Sequence, residues 1–197
     1  MEYTAKNFDN LLGLRGFSDN LLKNHFTLYQ GYVTNTNKVV ELLMQLTKEG
    51  KTSAPEFAEL KRRLGWEFNG MRLHELYFEN MNKDKKELSK DNPLFKKMTE
   101  IFGSGEACHQ NFVATGSMRG IGWVVMYYDP ESGKLFNAWI NEHDVGHLAG
   151  CVPLLIMDVF EHAFMLDYGL KKADYINSFV EAIDWEVVAQ RFMKATQ

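Results

Sequence analysis

Two residues that could carry chemistry, Asp158 and His162, lie four positions apart in the segment DVFEHAFMLDY. On a helix, this spacing places a carboxylate and an imidazole on one face, one turn apart, where both can bind one ion. Such a pair is more often a surface hydrogen bond, but here the flanking segments LLIM and AFML are apolar. A buried carboxylate needs a partner or a metal. The pair is therefore a candidate for part of a metal site.

Two further histidines lie in apolar stretches with helical spacing, His25 in LLKNHFTLY and His74 in FNGMRLHELYF. A single histidine on an apolar helix face is usually a core residue with satisfied hydrogen bonds. Together with Asp158 and His162, however, these residues form a set of three imidazoles and one carboxylate. Such a set suits zinc, iron or manganese, and the chemistry of the donors does not choose among the three metals.

The elements that must position His25 and His74 are predicted to be two long helices. Ser18 is a candidate N-cap, and apolar residues recur after it at three- and four-residue steps. The pattern stops near Gly50–Ser53 and resumes from Phe57 to Tyr77. Two helices joined by a polar turn predict a helical hairpin.

The second half of the chain is predicted to mix helices and strands. The polar segment from Asn82 to Pro93 is the predicted linker, which separates a hairpin domain at 1–88 from a second domain at 89–197. One or two helices follow, broken at Gly103–Gly105. GIGWVVMYYD and LFNAWINEH are predicted strands that form a hairpin. PLLIMDVFEHAFMLDY predicts an apolar segment followed by a helix, and DYINSFVEAIDWEVVAQRF predicts a C-terminal helix.

The composition is ordinary for a globular protein, with 197 residues, 45% hydrophobic and 24% charged. A net charge of −4 without a Lys/Arg block argues against nucleic acid as a partner. We expect no membrane partner, because no apolar run is long enough to span a bilayer. The N-terminus has no secretory pattern, and Cys108 and Cys151 do not form a pair motif. A cytoplasmic location is therefore expected.

The same motifs resemble the iron/manganese superoxide dismutase family, from about Asn7 to Phe192. DVFEHAFMLDY is similar to the family signature Asp-Val-Trp-Glu-His-Ala-Tyr-Tyr-Leu-Asp-Tyr, which supplies two ligands. SDNLLKNH and FNGMRLH resemble the helices of the first and second ligands, and YVTNTN matches further on. FGSGEACHQNF and GIGWVV resemble the helix and first strand of the second domain.

This resemblance implies an α+β fold, in which an N-terminal α-helical hairpin domain precedes an α/β domain with a three-stranded antiparallel sheet. It implies one iron or manganese ion per chain, held between the domains by His25, His74, Asp158 and His162. It also implies a metal-dependent superoxide dismutase, which converts superoxide to dioxygen and hydrogen peroxide as the metal alternates between two oxidation states. Hydrogen bonds around the ligands and a dry pocket would tune the metal.

The resemblance also implies which residues act beside the metal. In the family, a glutamine or histidine bonds the metal-bound solvent from one of two sequence positions. The earlier position is Gly70, which leaves space, and the later position is His143. We therefore predict that His143 is functional and that His147 is structural. Trp123 of the strand motif is retained and joins the predicted catalytic residues.

The first-ligand helix is one residue shorter than in the family, because seven positions rather than eight separate His25 from Tyr32. Seven residues on a regular helix leave two side chains within about 20° of alignment. We predict that both face the metal without a π-bulge, with the Tyr32 hydroxyl near the bound solvent or His143. Tyr29 would then face the neighbouring subunit. Two competing hypotheses make Tyr29 the gateway residue or place Asn24 at the ligand position.

The resemblance further implies a homodimer or a dimer of dimers. Glu161 is retained and in the family reaches the partner's metal-binding histidine, so Glu161 and His162 are expected at the interface. Met165 replaces a family tyrosine that bonds a histidine of the other subunit, and Phe160 replaces the signature tryptophan.

Two further functions are compatible with these residues. A superoxide-dismutase-like protein with little turnover could bind metal or serve a structural role. A mononuclear iron oxygenase uses two histidines and one carboxylate with open positions, and the third histidine argues against it.

Overall fold

The computed structural model describes residues 2–84 and 87–197. Lys85 and Lys86, which belong to the predicted linker, lie outside the described residues. The N-terminal half contains a short 3-10 turn at Asp9–Leu11 and two long helices, α1 at Asp19–Lys48 and α2 at Pro55–Glu79.

The predicted helical hairpin is present, and local chemistry explains where its helices begin. The Ser18 side chain accepts a hydrogen bond from the Leu21 amide and caps α1. Pro55 occupies the first position of α2, where its missing amide proton costs nothing. One face of α1 is buried along most of its length, at the positions that the apolar spacing indicates: Leu21, Leu22, His25, Phe26, Tyr29, Val33, Thr36, Val39 and Leu43.

The second half begins with two helices, α3 at Pro93–Phe102 and α4 at Gly105–Gly116. They are separated as predicted, since Gly103 adopts a left-handed conformation with φ of 86° after the last turn of α3. The Ser104 side chain then caps α4 by accepting a hydrogen bond from the Ala107 amide.

Three strands follow, β1 at Gly122–Asp129, β2 at Lys134–Asn141 and β3 at Val152–Asp158. They form an antiparallel sheet in the order β2-β1-β3. The predicted hairpin of β1 and β2 is thus found, and β1 is buried along most of its length because it lies between two strands. The predicted α+β fold with a three-stranded antiparallel sheet is confirmed.

The segment after β3 differs from the sequence prediction. Asp158 ends the strand, His162 lies in a 3-10 turn at Glu161–Ala163, and only the short helix α5 at Met165–Tyr168 follows. The prediction that Asp158 and His162 share a helix face is therefore wrong. The Asp158 carboxylate accepts a hydrogen bond from the Phe160 amide at 2.8 Å, and this local bond turns the chain where the strand stops.

The C-terminal segment also differs, because two helices replace the single predicted one. These are α6 at Lys172–Ala182 and α7 at Trp185–Ala195. Ile183 forms an isolated antiparallel bridge with Met81, which pulls the chain out of helical conformation. The Asp184 side chain then accepts hydrogen bonds from the amides of Glu186 and Val187 and caps α7.

Contacts between α2, β3 and α7 join the two halves of the chain around a common core. Arg191 of α7 donates to the carbonyls of Leu76 and Leu154 and forms an ion pair with Glu79 at 3.0 Å. The Asn80 side chain bonds the backbone of Ile156 in β3. In the part of the chain that the structure describes, no helix is long and apolar enough to cross a membrane.

Candidate metal centre

Four side chains from separate elements converge where the two halves meet. His25 comes from α1, His74 from α2, Asp158 from the end of β3 and His162 from the 3-10 turn. Their potential ligand atoms all lie within 4.8 Å of one another. Asp158 Oδ2 lies 3.2 Å from His25 Nε2, 3.1 Å from His162 Nε2 and 3.6 Å from His74 Nε2. We call these four residues the ligand cluster.

The ligand cluster is buried on all sides but one. His25, His74 and Asp158 are buried, whereas the His162 side chain is 26% exposed. His25 and His74 project from the hairpin because they belong to the buried faces of α1 and α2. The exposed edge of His162 therefore marks the side on which the cluster approaches the protein surface.

His74 has a buried nitrogen that lacks a partner. Its Nδ1 donates to the Gly70 carbonyl at 2.5 Å, which leaves Nε2 as an acceptor facing the cluster. His74 Nε2 is buried and has no hydrogen-bond partner among residues 2–84 and 87–197. Such a group costs about 1–3 kcal/mol when it stays unsatisfied. A cation bound among the four side chains would remove this penalty.

The charges of the ligand cluster also suit a cation. Burial lowers the pKa of His25 and, more strongly, that of His74, so both imidazoles are neutral at pH 7. Burial alone would raise the pKa of Asp158, but the neighbouring His162 and His25 imidazoles hold it well below its usual value. Neutral imidazoles around one ionised carboxylate are donors for iron, manganese or zinc. The residues present therefore fit the metal that the sequence predicts.

Asp158 is held in place by its own backbone contacts. The Tyr175 hydroxyl donates to the Asp158 carbonyl at 2.6 Å, and the Tyr77 and Tyr175 hydroxyls lie 3.1 Å apart. The Phe160 amide donates to Asp158 Oδ1. These bonds leave Oδ2 as the carboxylate oxygen directed at the three imidazoles, and such orienting contacts around ligands tune metal affinity.

Beside the ligand cluster, Tyr32, His143 and Trp123 form a hydrogen-bonded row that we call the relay. The Trp123 indole donates to His143 Nδ1 at 3.0 Å, and His143 Nε2 lies 2.7 Å from the Tyr32 hydroxyl oxygen. Burial lowers the pKa of His143 to about 4, so its ring is neutral at pH 7. Because indole only donates, the His143 proton resides on Nε2 and is donated to Tyr32.

The relay lies against the ligand cluster through Tyr32. The Tyr32 ring stacks on His74, with ring centroids 5.3 Å apart and an interplanar angle of 26°. α1 is an uninterrupted α-helix through His25 and Tyr32, and both side chains reach the same site. Burial raises the pKa of Tyr32 to about 12, which keeps its hydroxyl protonated at neutral pH.

Tyr29 does not face a neighbouring subunit, so this prediction is wrong. Its side chain is fully buried within the hairpin. The Tyr29 hydroxyl donates to the buried carboxylate of Glu75 at 3.0 Å and accepts from the Lys6 amide at 2.9 Å. A buried carboxylate is costly without hydrogen-bond donors, so the bond from the Tyr29 hydroxyl to Glu75 stabilises the inward orientation of Tyr29. Tyr32 rather than Tyr29 stacks on His74, with ring centroids 5.3 Å apart against 6.4 Å for Tyr29, and of the two only Tyr32 is hydrogen-bonded to His143.

Asn24 and His147 lie where neither faces the ligand cluster. Asn24 is exposed, and its amide donates to the Asn20 carbonyl one turn earlier. His147 accepts from the Tyr127 hydroxyl at 2.7 Å and donates to the His143 carbonyl at 2.9 Å. His147 thus bonds the backbone of His143 and does not contact the ligand cluster.

Two aromatic residues of the site, Trp66 and Phe160, are not among the predicted site residues. Trp66 packs its ring edge-on against His143 with centroids 4.8 Å apart, and Phe160 stacks on the same ring at 4.8 Å. The spacing of Trp66, Gly70 and His74, four residues each on α2, is the signal that could have revealed Trp66, because it places all three on one helix face. For Phe160, the signal is its place in the signature segment, two residues after Asp158.

Several known proteins share the sequence pattern of this chain. The family described as iron/manganese superoxide dismutases, C-terminal domain, matches residues 90–191. "Superoxide dismutase [Fe]" of Aquifex pyrophilus is 34% identical over 187 residues, covering 92% of this chain and 87% of that protein. "Superoxide dismutase [Fe]" of Cupriavidus metallidurans is 35% identical over 189 residues, covering 93% and 92%.

A manganese-named relative is similar over a comparable length. "Superoxide dismutase [Mn] 2" of Haloferax volcanii is 33% identical over 173 residues, covering 88% of this chain and 85% of that protein. The similarity thus extends through both the hairpin and the α/β half, and it confirms the resemblance inferred from the sequence motifs. The chain belongs to the iron/manganese superoxide dismutase family.

Proposed function

We propose that this chain is a superoxide dismutase in which His25, His74, Asp158 and His162 bind one iron or manganese ion. The observation that carries the proposal concerns His74 Nε2, which is buried and has no hydrogen-bond partner among the described residues. This nitrogen faces the ionised carboxylate of Asp158. Relatives named for iron and for manganese support either metal.

When bound at this site, iron or manganese would supply the redox chemistry of superoxide dismutation by alternating between two oxidation states. The overall balance is two superoxide ions and two protons in, one dioxygen and one hydrogen peroxide out. The single carboxylate would leave a bound divalent or trivalent ion with residual positive charge, which favours an anionic substrate.

The relay is proposed to orient the proton donor for this reaction. His143 donates its Nε2 proton to Tyr32, so the Tyr32 hydroxyl keeps its own proton available for substrate or solvent. Trp123 holds His143 in this tautomer by donating to Nδ1. We therefore propose Tyr32, His143 and Trp123 as the catalytic residues beside the metal ligands.

A homodimer, or a dimer of dimers, is proposed to cover the exposed edge of the ligand cluster. Glu161 is exposed next to the partly exposed His162, and apolar side chains nearby in the sequence are also exposed. Met165 is 43% exposed and Leu170 is 93% exposed. The proposal also divides the chain into domains at 1–88 and 89–197. It further includes a cytoplasmic location, which is based on the two free cysteines.

The proposal is tested by reconstituting metal-free protein separately with iron, manganese and zinc. Metal content is measured by elemental analysis, and the rate of superoxide loss is measured per bound ion. We expect one ion per chain, with activity for iron or manganese. Zinc is the control, because it accepts the same donors but has no redox chemistry. Iron- and manganese-loaded proteins that stay at the zinc baseline would favour a metal-binding or structural role with little turnover.

Two variants separate the residues that bind the metal from those that act beside it. His162→Ala should lower metal content and weaken the dimer, and full metal occupancy in this variant would contradict the ligand assignment. His143→Ala should retain the metal yet lose roughly 10–100-fold in turnover, because contacts around a metal site have effects of this size.

A further inference from the structure

Gly70 of α2 lies directly beneath the ring of Tyr32. A Cβ atom built on Gly70 would lie 2.5 Å from Tyr32 Cδ1, 2.7 Å from Cε1 and 2.9 Å from Cγ. Contacts this short do not occur, and all three atoms belong to one rigid ring. The ring would therefore have to move as a unit, which forces Tyr32 out of its rotamer or shifts the backbone.

The conformation of the backbone does not require glycine at this position. Gly70 lies inside α2 and is absent from the glycines with positive φ among the described residues. Glycine is unfavourable in a helix interior relative to alanine. Gly70 is therefore explained by the space above its Cα atom, which the Tyr32 ring occupies.

Gly70 contacts both parts of the site. Its carbonyl accepts the Nδ1 proton of His74, which leaves His74 Nε2 directed at the ligand cluster. The Tyr32 ring above it stacks on that same His74, and the Tyr32 hydroxyl lies 2.7 Å from His143. Displacing the ring from Gly70 would thus alter the stacking on His74 and the bond to His143 together.

We propose that Gly70 is a positioning residue whose bare Cα atom seats Tyr32 against His74 and aims its hydroxyl at His143. A side chain at position 70 and Tyr32 in its present place exclude each other. The consequence for catalysis rests on the proposed dismutase function, whereas the steric relation does not depend on any activity.

The steric relation is tested by thermal unfolding of the metal-free protein with Gly70→Ala in two backgrounds, wild type and Tyr32→Ala. Gly65→Ala is the matched control, because a Cβ there would lie 4.0 Å from Asp144 Cβ, an ordinary contact. Alanine should raise the melting temperature by about 2–4 °C at position 65 in both backgrounds. Gly70→Ala should lower the melting temperature in the wild type and raise it, like the control, in the Tyr32→Ala background.

Each other outcome of this cycle would overturn the inference. If Gly70→Ala stabilises the wild type as Gly65→Ala does, the ring does not need the space. If Gly70→Ala destabilises both backgrounds, its steric conflict lies with another part of the molecule. Because the protein is metal-free, these results are independent of whether it is a dismutase.

The catalytic consequence is tested with metal-loaded protein by comparing Gly70→Ala, Tyr32→Phe and the double variant. At equal metal content, we expect Gly70→Ala to lose at least as much activity as Tyr32→Phe, because the displaced ring loses both the position of its hydroxyl and its stacking on His74. The double variant should lose no more than Gly70→Ala alone. Losses that multiply would show that Gly70 acts independently of Tyr32. Absence of activity in the wild type would refute the proposed function while leaving the unfolding cycle valid.

Discussion

The ligand cluster and the relay lie side by side but satisfy their polar groups in different ways. In the ligand cluster, His74 Nε2 is buried without a hydrogen-bond partner among the described residues, and Asp158 faces three imidazoles. In the relay, both ring nitrogens of His143 are hydrogen-bonded. The ligand cluster is thus incomplete without a cation, whereas the relay is complete on its own. Changes in the two regions should consequently have separable effects.

The largest effect is expected from Asp158→Asn in the ligand cluster. This substitution preserves shape and the acceptor for the Phe160 amide but removes the single anionic donor of the cluster. We expect metal affinity to fall by more than about 100-fold, because even contacts outside the ligands change it roughly 10–100-fold. Metal titration measures the change. Tyr32→Phe is the control and should bind metal as the wild type does; Asp158→Asn with unaltered affinity would erase the distinction between the two regions.

The relay should contribute a pH-dependent part of the stability of the metal-free protein. The pKa of His143 in the folded protein is about 4, below its ordinary value of 6.5. The unfolded chain therefore binds a proton first as the pH falls, so the contribution is present above about 6.5 and is lost between 6.5 and 4. A difference of this size corresponds to about 3 kcal/mol. The lowered pKa values of His25 and His74 act in the same direction.

Urea unfolding of metal-free protein from pH 7 to pH 4 measures this loss. His143→Gln removes the titrating group of the relay and retains those of the ligand cluster, so its stability should decline less steeply. An identical slope for wild type and variant would contradict a neutral, buried His143.

The two tyrosines of α1 provide a smaller, more specific comparison. Tyr29→Phe removes the hydroxyl that serves the buried Glu75 and the Lys6 amide, and should reduce the free energy of unfolding by about 1–3 kcal/mol. Its activity per bound ion should stay unchanged. Tyr32→Phe should show the opposite pattern, with reduced activity and a smaller loss of stability. Urea midpoints measure the loss of stability, and rates per bound ion measure the loss of activity. Reduced activity in Tyr29→Phe would contradict the comparison, because it would mean that Tyr29 also acts in catalysis.

The smallest effect on stability is expected from a substitution at Glu142, the residue before His143. Glu142 has a φ of 51°, a left-handed conformation that disfavours side chains other than glycine and asparagine. Glu142→Gly should raise the free energy of unfolding by up to about 1 kcal/mol and leave metal binding unchanged. Gly150→Ala is the reverse control and should lower the free energy of unfolding. Gly150 has a φ of 80°, and no described atom lies within 4 Å of its added Cβ, so backbone strain alone would act. Destabilisation by Glu142→Gly would mean that the glutamate side chain contributes more than the strain.

The sequence by itself determined the hairpin and supplied the four candidate residues of the ligand cluster, whereas their convergence became visible only in the structure. Apolar residues at helical spacing indicated α1 and α2, and Ser18 marked where α1 begins. The count of seven residues from His25 to Tyr32 indicated that one helix face carries both. These inferences succeeded because periodicity and capping are local properties of the chain. Identification of the family came from longer motifs such as DVFEHAFMLDY, and the similarity to named superoxide dismutases confirmed it.

Only the tertiary structure decided features that depend on residues distant in the chain. Asp158 and His162 meet through a turn because β3 pairs with β1 up to Trp123, which the four-residue spacing alone did not reveal. Tyr29 turns inward because its hydroxyl bonds Glu75. The sequence did not reveal this contact, since the two residues are 46 positions apart in the chain. The absence of a side chain at Gly70 is explained only by the tertiary structure, in which Tyr32 of α1 packs against this position of α2. Spacing along the chain encodes which face a residue occupies, whereas packing between elements determines what that face meets.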